Sequence, residues 1–327
     1  MAAERTSASP LPPDEIRVGI SACLLGQEVR FDGGHKHDPF LTQTVGPFFT
    51  WVPVCPEVEL GLGTPRETIR LERHGEAVRL VAPKSGRDLT EEMRNYAETK
   101  VAFLASLDLS GYILKKDSPS CGMERVRVYG GKGMAEKTGR GAFAERLLAA
   151  FPLLPVEEEG RLHDPRLRDN FFVRVFAYHR LKALFQGRWT VGSLVRFHTR
   201  EKLLLLAHDP KTYTALGRLV AAAKGADREQ VALRYQEGFM GALRKIATVK
   251  KNTNVLEHMA GYFKTLLSPE EKRELFGLIE DYRRELVPLI VPLTLLRHYV
   301  RLHRVDYLEG QTFLEPSPKE LMLRNHV

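Results

Sequence analysis

Cysteine is scarce in this sequence, with three residues in 327, and no apolar run is long enough to cross a membrane. A membrane-spanning helix needs roughly 18 or more apolar residues, whereas the stretch at 287–296 already contains two prolines. An odd number of cysteines cannot pair off completely within one chain, which excludes a closed internal disulfide framework. Unpaired thiols are typical of a reducing compartment, so we expect a cytoplasmic protein with no membrane partner.

The first residues also lack the apolar core of a signal peptide, and we predict a disordered tail over residues 1–15. Residues 16–150 alternate strand-like, loop and helical segments, which predicts a mainly parallel, Rossmann-like α/β domain. A helical connector is expected over 151–186. Residues 187–327 contain amphipathic runs separated by Pro, Gly and Asp breaks, which predicts an all-α domain. Within it, Ser268, Pro269 and Glu271 form a helix-start pattern.

Charge is distributed unevenly between the two predicted halves. The formal net charge is +8, of which residues 1–185 contribute +1 and residues 186–327 contribute +7. A basic surface favours anionic partners such as nucleotides or RNA. A solvated helical surface explains the same excess, so charge alone does not choose between them.

Each of the three cysteines lies in a polar or Gly/Pro-containing run that follows a strand-like segment. Cys23 follows residues 16–20, Cys55 follows residues 51–54, and Cys121 follows residues 112–114 after a Ser/Pro-containing loop. In an open α/β sheet the carboxyl ends of the strands converge on a ligand crevice. We therefore expect the three thiols to form one site.

Three readings of these thiols remain open from the residues alone. They could be separate buried cysteines, or ligands of a zinc ion completed by His35 or His37. A 4Fe-4S cluster takes one thiolate per iron, so three thiolates would leave one iron free to bind a substrate atom.

Three strings carry a resemblance to a known family. They are SACLLG at 21–26 with RFDG at 30–33, VCPEVE at 54–59, and KDSPSCG at 116–122. Because they contain these three strings, residues 16–150 resemble the 2-thiouracil desulfurase (TudS) family. The resemblance implies a 4Fe-4S cluster held by Cys23, Cys55 and Cys121, in an enzyme that replaces the sulfur of a thiolated pyrimidine by oxygen. Residues 189–326 resemble the helical YbgA-type domain often fused to it, for which no chemistry is implied.

Candidate catalytic residues lie beside the cysteines. Glu57, two residues after Cys55, is the first candidate for the base that activates water, and a helix-capping role is its alternative. Ser118 could orient the substrate or relay a proton, and Asp117 could bind a pyrimidine N–H. For Ser120 we favour a purely local role in the turn.

Candidate substrate-binding residues lie in both halves. Arg30 and Asp32, in the loop after Cys23, could contact the substrate or simply brace a Gly-rich turn. Lys250 and Lys251 could present ammonium and amide groups to a phosphate.

The resulting hypothesis is hydrolytic C–S cleavage of a thiouracil or, preferably, of a thiouridine nucleotide such as 4-thiouridine monophosphate, with release of sulfide. Such a nucleotide is a breakdown product of thiolated tRNA and would explain a cluster domain joined to a basic domain. The alternative is a tRNA-binding module with a structural metal or cluster. It predicts strongly salt-dependent RNA affinity and no turnover.

Overall fold

The computed structural model describes residues 15–130 and 134–327. The predicted disordered tail therefore lies outside the described residues, apart from residue 15. In chain order the strands and helices are β1 (Arg17–Ser21), β2 (Thr50–Val54), α1 (Pro56–Glu59), β3 (Arg70–His74), β4 (Ala77–Ala82), β5 (Arg87–Asp88), α2 (Thr90–Ala105), β6 (Gly111–Leu114), β7 (Val126–Tyr129), β8 (Ala135–Gly139), α3 (Ala142–Ala150), β9 (Val156–Glu158), α4 (Pro165–Phe185), α5 (Val191–His208), α6 (Pro210–Ala221), α7 (Arg228–Leu243), α8 (Val249–Ala260), α9 (Pro269–Arg283), α10 (Ile290–His303) and α11 (Asp306–Glu309).

A parallel sheet in the order β2-β1-β6-β9 forms the centre of the first half. Strands β1, β2 and β6 are short and largely apolar, as expected for a parallel sheet covered on both faces. The three strand-like segments that precede the cysteines are β1, β2 and β6, and they are neighbours in this sheet. The predicted α/β class with a mainly parallel sheet is confirmed.

Helices cover both faces of this sheet, because successive side chains of a strand point to opposite sides. Tyr112 and Leu114 of β6 pack into a core shared with α2 and α3, whereas Ile113 between them packs into a core shared with α4. Gly19 of β1 allows this close packing, since a Cβ atom there would lie 2.2 Å from the ring of Tyr112.

A second sheet, in the order β5-β4-β3-β7-β8, lies in the same half. It contains a hairpin formed by β3 and β4. Gly75 in its turn has a φ of +63°, in the left-handed region that glycine adopts without strain.

Helix α4 joins the two halves by packing on both. Phe172 and Val175 belong to the core beneath the parallel sheet, whereas Val173 and Ala177 belong to the core of the helical half. The helix begins at the N-cap Asp164, whose carboxylate accepts hydrogen bonds from two backbone N–H groups of the first turn.

The segment expected to be a helical connector differs in its first part. Residues 156–158 form β9, which extends the parallel sheet beside β6, and only residues 165–185 are α-helical. The acidic run EEE at 157–159 interrupts the predicted helical pattern, and backbone pairing of its first two residues with β6 determines the strand.

The remainder is all-α, as predicted, with α5 to α11 around one apolar core. The predicted helix start is present: Ser268 and Glu271 form a capping box and Pro269 occupies the first turn of α9. Among the described residues, no helix combines the length and the apolar character needed to cross a membrane.

Candidate functional site

Three cysteines from three neighbouring strand ends line one cavity of about 290 Å³. Cys23 lies in the single turn at 22–25 that follows β1, and Cys55 is the N-cap of α1 directly after β2. Cys121 lies in the loop after β6. The strand order β2-β1-β6 places these loops side by side at the carboxyl edge of the sheet, which is where an open α/β fold binds ligands.

The loop that carries Cys121 is fixed by the start of α3. Backbone N–H groups of residues 141–144 donate hydrogen bonds of 2.8–3.2 Å to carbonyl oxygens of Pro119, Ser120 and Gly122. A Cβ atom on Gly141 would lie 2.5 Å from the carbonyl oxygen of Ser120, so this contact requires glycine. The unpaired N–H groups of a helix start thus hold a loop that contains no regular structure.

The other two cysteine loops are also held by backbone contacts. The carbonyl oxygen of Cys23 accepts a hydrogen bond of 2.9 Å from the N–H of Lys36, which folds the glycine-rich loop back over the cavity. The N–H of Cys55 donates to Glu59 Oε1 at 3.1 Å, and its Sγ lies 3.7 Å from the carbonyl oxygen of Val29.

Burial raises the pKa of all three thiols. The pKa of Cys23 rises to about 11 and that of Cys121 to about 12, and the pKa of Cys55 is also raised. The charge of Glu57 adds to the effect on Cys121. The raised pKa values favour the protonated thiols, and a bound metal group would replace these protons.

The cavity contains three thiols as possible donors to a metal group. In the described part of the chain, no three His, Cys, Asp or Glu side chains are grouped closely enough to hold a single metal ion. His35 and His37 do not line the cavity, and His37 Nε2 instead lies 2.9 Å from Thr42 Oγ1. Three thiols spaced around one cavity, with no fourth Cys in the sequence, suit a cluster with one thiolate per iron.

Glu57 lies in the same cavity and is hydrogen-bonded on both oxygens. Arg66 donates to its Oε2 from Nη2 at 2.6 Å and from Nε at 3.0 Å. Ser120 donates to its Oε1 at 2.6 Å. The side chain is 14% exposed, so the carboxylate faces the cavity without being freely solvated.

The two serines of the third loop have different contacts from those expected. Ser118 Oγ accepts hydrogen bonds from the N–H of Ser120 at 3.3 Å and of Cys121 at 3.1 Å, which is a turn-forming role. Ser120, expected to serve only the turn, contacts Glu57. Because a hydroxyl has one hydrogen and that of Ser120 is donated to the carboxylate, the 3.0 Å contact between the hydroxyls orients Ser118 as donor to Ser120.

Of the other predicted residues in this half, Arg30 and Asp117 line the cavity. Asp117 adopts a left-handed φ of +58° at the turn. Asp32 does not line the cavity. It accepts a hydrogen bond from the N–H of Gly34 at 3.1 Å, which lowers its pKa, and its contact with Arg30 is 3.7 Å. Asp32 therefore braces the Gly-rich turn.

The two predicted lysines of the helical half lie away from the cysteine cavity. Lys250 lines a separate cavity at the start of α8. The Lys251 ammonium donates to the carbonyl oxygen of His208 at 2.6 Å, a contact that joins α8 to the end of α5.

Sequence reasoning missed Arg66, Lys36 and Lys116, all of which line the cysteine cavity. A signal for Arg66 exists in the GLGTPR run at 61–66, since Gly and Pro punctuate a turn that can return a charged residue toward Glu57. The two lysines are adjacent to predicted site residues, but exposed lysines are too common for position alone to single them out.

Comparison with known proteins divides the chain in the same way. Residues 18–159 match the family model described as 2-thiouracil desulfurase, and residues 202–318 match the one described as protein of unknown function (DUF1722). The chain is 34% identical over 161 residues to YbgA of Escherichia coli (strain K12), covering 49% of this chain and 95% of that protein. It is 34% identical over 137 residues to YbbK of Bacillus subtilis (strain 168), covering 40% of this chain and 89% of that protein.

A solved structure is also similar in sequence. It is described as the 4Fe-4S-dependent thiouracil desulfidase TudS and is 33% identical to this chain, covering 46% of this chain and 95% of its own, with a TM-score of 0.36.

Proposed function

The chain belongs to the 2-thiouracil desulfurase family through its first half and to the YbgA-containing DUF1722 family through its second, and on this basis we propose that it replaces the sulfur of a thiolated pyrimidine by oxygen. The observation that carries the proposal is the convergence of three thiols and a hydrogen-bonded carboxylate on one cavity. At about 290 Å³ this cavity is near the small end of the ~300–1,000 Å³ range of ligand pockets, which suits a small heterocycle.

We propose that Cys23, Cys55 and Cys121 hold a 4Fe-4S cluster. Three protein thiolates leave one of four irons without a protein ligand. When bound, such a cluster supplies an open Lewis-acidic iron for the soft sulfur of a thiocarbonyl. Two of the three cysteines are buried and no histidine is among the cavity residues, which supports this assignment over zinc.

The remaining chemistry is assigned to Glu57 and the serines. The net reaction adds water across C=S: the water oxygen bonds to the ring carbon, the C–S bond breaks, and both water protons leave on sulfur as hydrogen sulfide. No oxidant or reductant is needed. Glu57 takes one proton from the attacking water, and the Ser120 hydroxyl, which accepts from Ser118 and donates to Glu57 Oε1, offers a path for returning it toward the departing sulfur.

The positive charge at the mouth of the cavity favours an anionic substrate. Lys36, Lys116 and Arg30 line it, and Lys36 and Lys116 are exposed to solvent. Within the described residues neither lysine makes an ion pair with a carboxylate. We therefore propose a thiouridine nucleotide rather than the free base, with its phosphate at these ammonium groups.

The test is anaerobic reconstitution with iron and sulfide, followed by turnover of matched thiouracil, thiouridine and thiouridine monophosphate. We expect loss of the thiocarbonyl absorbance and one sulfide released per oxo product. The Glu57→Gln variant, reconstituted in the same way, should keep its iron and lose most of its turnover. One tightly bound zinc per chain, with no turnover of any substrate, would refute the proposal.

A further inference from the structure

The guanidinium of Arg66 is nearly fully buried, with 5% of the side chain exposed. Besides its two bonds to Glu57 Oε2, it donates from Nη2 to the carbonyl oxygen of Val29 at 3.0 Å and from Nη1 to that of Gly63 at 2.9 Å. A guanidinium is a rigid planar fork of donors. Its orientation is therefore fixed by three separate segments of chain.

This arrangement makes the two oxygens of Glu57 unequal. Oε2 accepts two hydrogen bonds from Arg66 and is held at the cavity wall, whereas Oε1 is directed at Ser120. A carboxylate without the fork could rotate and exchange its oxygens, because the terminal torsion of glutamate is soft. With the fork in place, one oxygen is presented for proton transfer.

Arg66 also fixes the opposite wall of the cavity. Its backbone N–H donates to the carbonyl oxygen of Phe31 at 2.9 Å, in addition to the side-chain contact with Val29. Arg30, between these two residues, lines the cavity. One residue thus ties the base to the loop that follows the first cysteine.

We propose that Arg66 is the positioning residue of the active site, which sets the orientation of Glu57 relative to the substrate. The inference rests on the proposed function, in which Glu57 activates water. Lysine cannot replace it, because an ammonium group is a point charge without the planar fork.

The test is a kinetic double-mutant cycle of Arg66→Lys and Glu57→Gln in the reconstituted full-length protein. We expect R66K to lower kcat about tenfold or more, with KM within about twofold and iron content unchanged. In the E57Q background the same substitution should change kcat less than about twofold, because residues that act together are not additive. An equal loss in both backgrounds would overturn the proposal.

The matched control is Arg70→Lys. Arg70 pairs with Glu72 in the same domain, with 2.6 Å between the guanidinium and the carboxylate, and neither residue lines the cavity. We expect R70K to retain wild-type kcat. If R66K is not recovered folded, Arg66→Gln provides the second variant for the cycle.

A second measurement separates this inference from the proposed function. Urea unfolding of the cluster-free chain, measured in double-mutant cycles, should give a clearly larger coupling free energy for Arg66 and Glu57 than for Arg70 and Glu72. The reason is that the first pair is buried and the second is partly exposed. If the wild-type protein turns over no thiopyrimidine, the proposed function fails. Equal coupling in the two pairs would overturn the assignment of Arg66.

Discussion

The hydroxyl of Ser120 donates a hydrogen bond of 2.6 Å to Oε1 of Glu57, across 63 positions of sequence. This bond joins the loop of the third cysteine to the helix that follows the second. Ser120 Oγ also lies 3.7 Å from Cys121 Sγ. A continuous set of contacts therefore runs from Glu57 through Ser120 to Cys121.

Ser120→Ala should reduce turnover more than Ser118→Ala. Removal of the Ser120 hydroxyl leaves Oε1 of Glu57 without its donor, whereas removal of the Ser118 hydroxyl leaves the Ser120–Glu57 bond in place. We expect a loss of kcat on the order of 10²-fold for S120A, the usual lower scale of positioned proton transfer. The measurement is kcat at equal iron content. A larger loss for S118A than for S120A would restore the sequence-based assignment of Ser118.

Replacement of any one cysteine by serine should abolish stable cluster binding. Each of Cys23, Cys55 and Cys121 would supply the ligand of one iron, and serine preserves size but not the soft thiolate. We expect about four irons and four sulfides per chain in the wild type after reconstitution, and far fewer in each variant. Iron analysis after gel filtration checks this. Full iron content in one variant would remove that cysteine from the ligand set.

The sequence predicted the elements on which the site is built, and physical reasons explain why. Segments 16–20, 51–54 and 112–114 are short apolar runs bounded by Gly, Pro and Ser, and they form β1, β2 and β6. The run at 157–159 falls within the predicted helical connector, because three glutamates give no strand signal. Its backbone pairs with β6, and such pairing between distant segments is not visible in local composition.

The site was predictable where a residue lies in or beside a loop that carries a cysteine. Glu57 follows Cys55 by two positions, so its place near the thiols follows from the chain itself. Arg66 reaches Glu57 through a turn whose geometry depends on three-dimensional folding, and the choice between Ser118 and Ser120 depends on which way each hydroxyl points. Neither property is encoded in spacing alone.

Acidification should destabilise the helical half through two buried histidines. His198 Nδ1 lies 3.1 Å from the hydroxyl of Tyr235, and His208 Nδ1 lies 2.6 Å from the carbonyl oxygen of Lys245. Burial lowers the pKa of each to about 4, from an ordinary value near 6.5. Because the unfolded chain takes up these protons first, the stabilising contribution is fully present above about pH 6.5 and is lost as pH falls toward 4.

The measurement is the urea midpoint between pH 7 and pH 4.5 for the wild type, His198→Gln and a control. His198→Gln should flatten the fall of the midpoint with decreasing pH. The control Val78→Ala replaces an exposed side chain of β4 that carries no titratable group, so it should leave the slope unchanged. An identical slope in His198→Gln and wild type would show that this histidine is not titrating on unfolding.

Phosphate recognition should depend on the cations at the cavity mouth. Lys36 and Lys116 are exposed beside the cysteine cavity. Each charge-assisted contact contributes roughly 1.5–3 kcal/mol of binding, about tenfold or more in affinity. Lys36→Ala with Lys116→Ala should therefore raise KM for thiouridine monophosphate at least tenfold and leave KM for the free thiouracil within about twofold. The nucleotide effect should weaken at high salt, since exposed charges are screened.

Lys250→Ala with Lys251→Ala is the matched comparison, because it removes the same charge from the helical half. Lys251 donates to the carbonyl oxygen of His208 and Lys250 lines a separate cavity, so we expect this double variant to leave both KM values near wild type. The opposite pattern, with KM for the nucleotide raised only by the second pair, would assign the phosphate to the helical domain. Equal KM values for base and nucleotide in all proteins would show that the substrate carries no recognised phosphate.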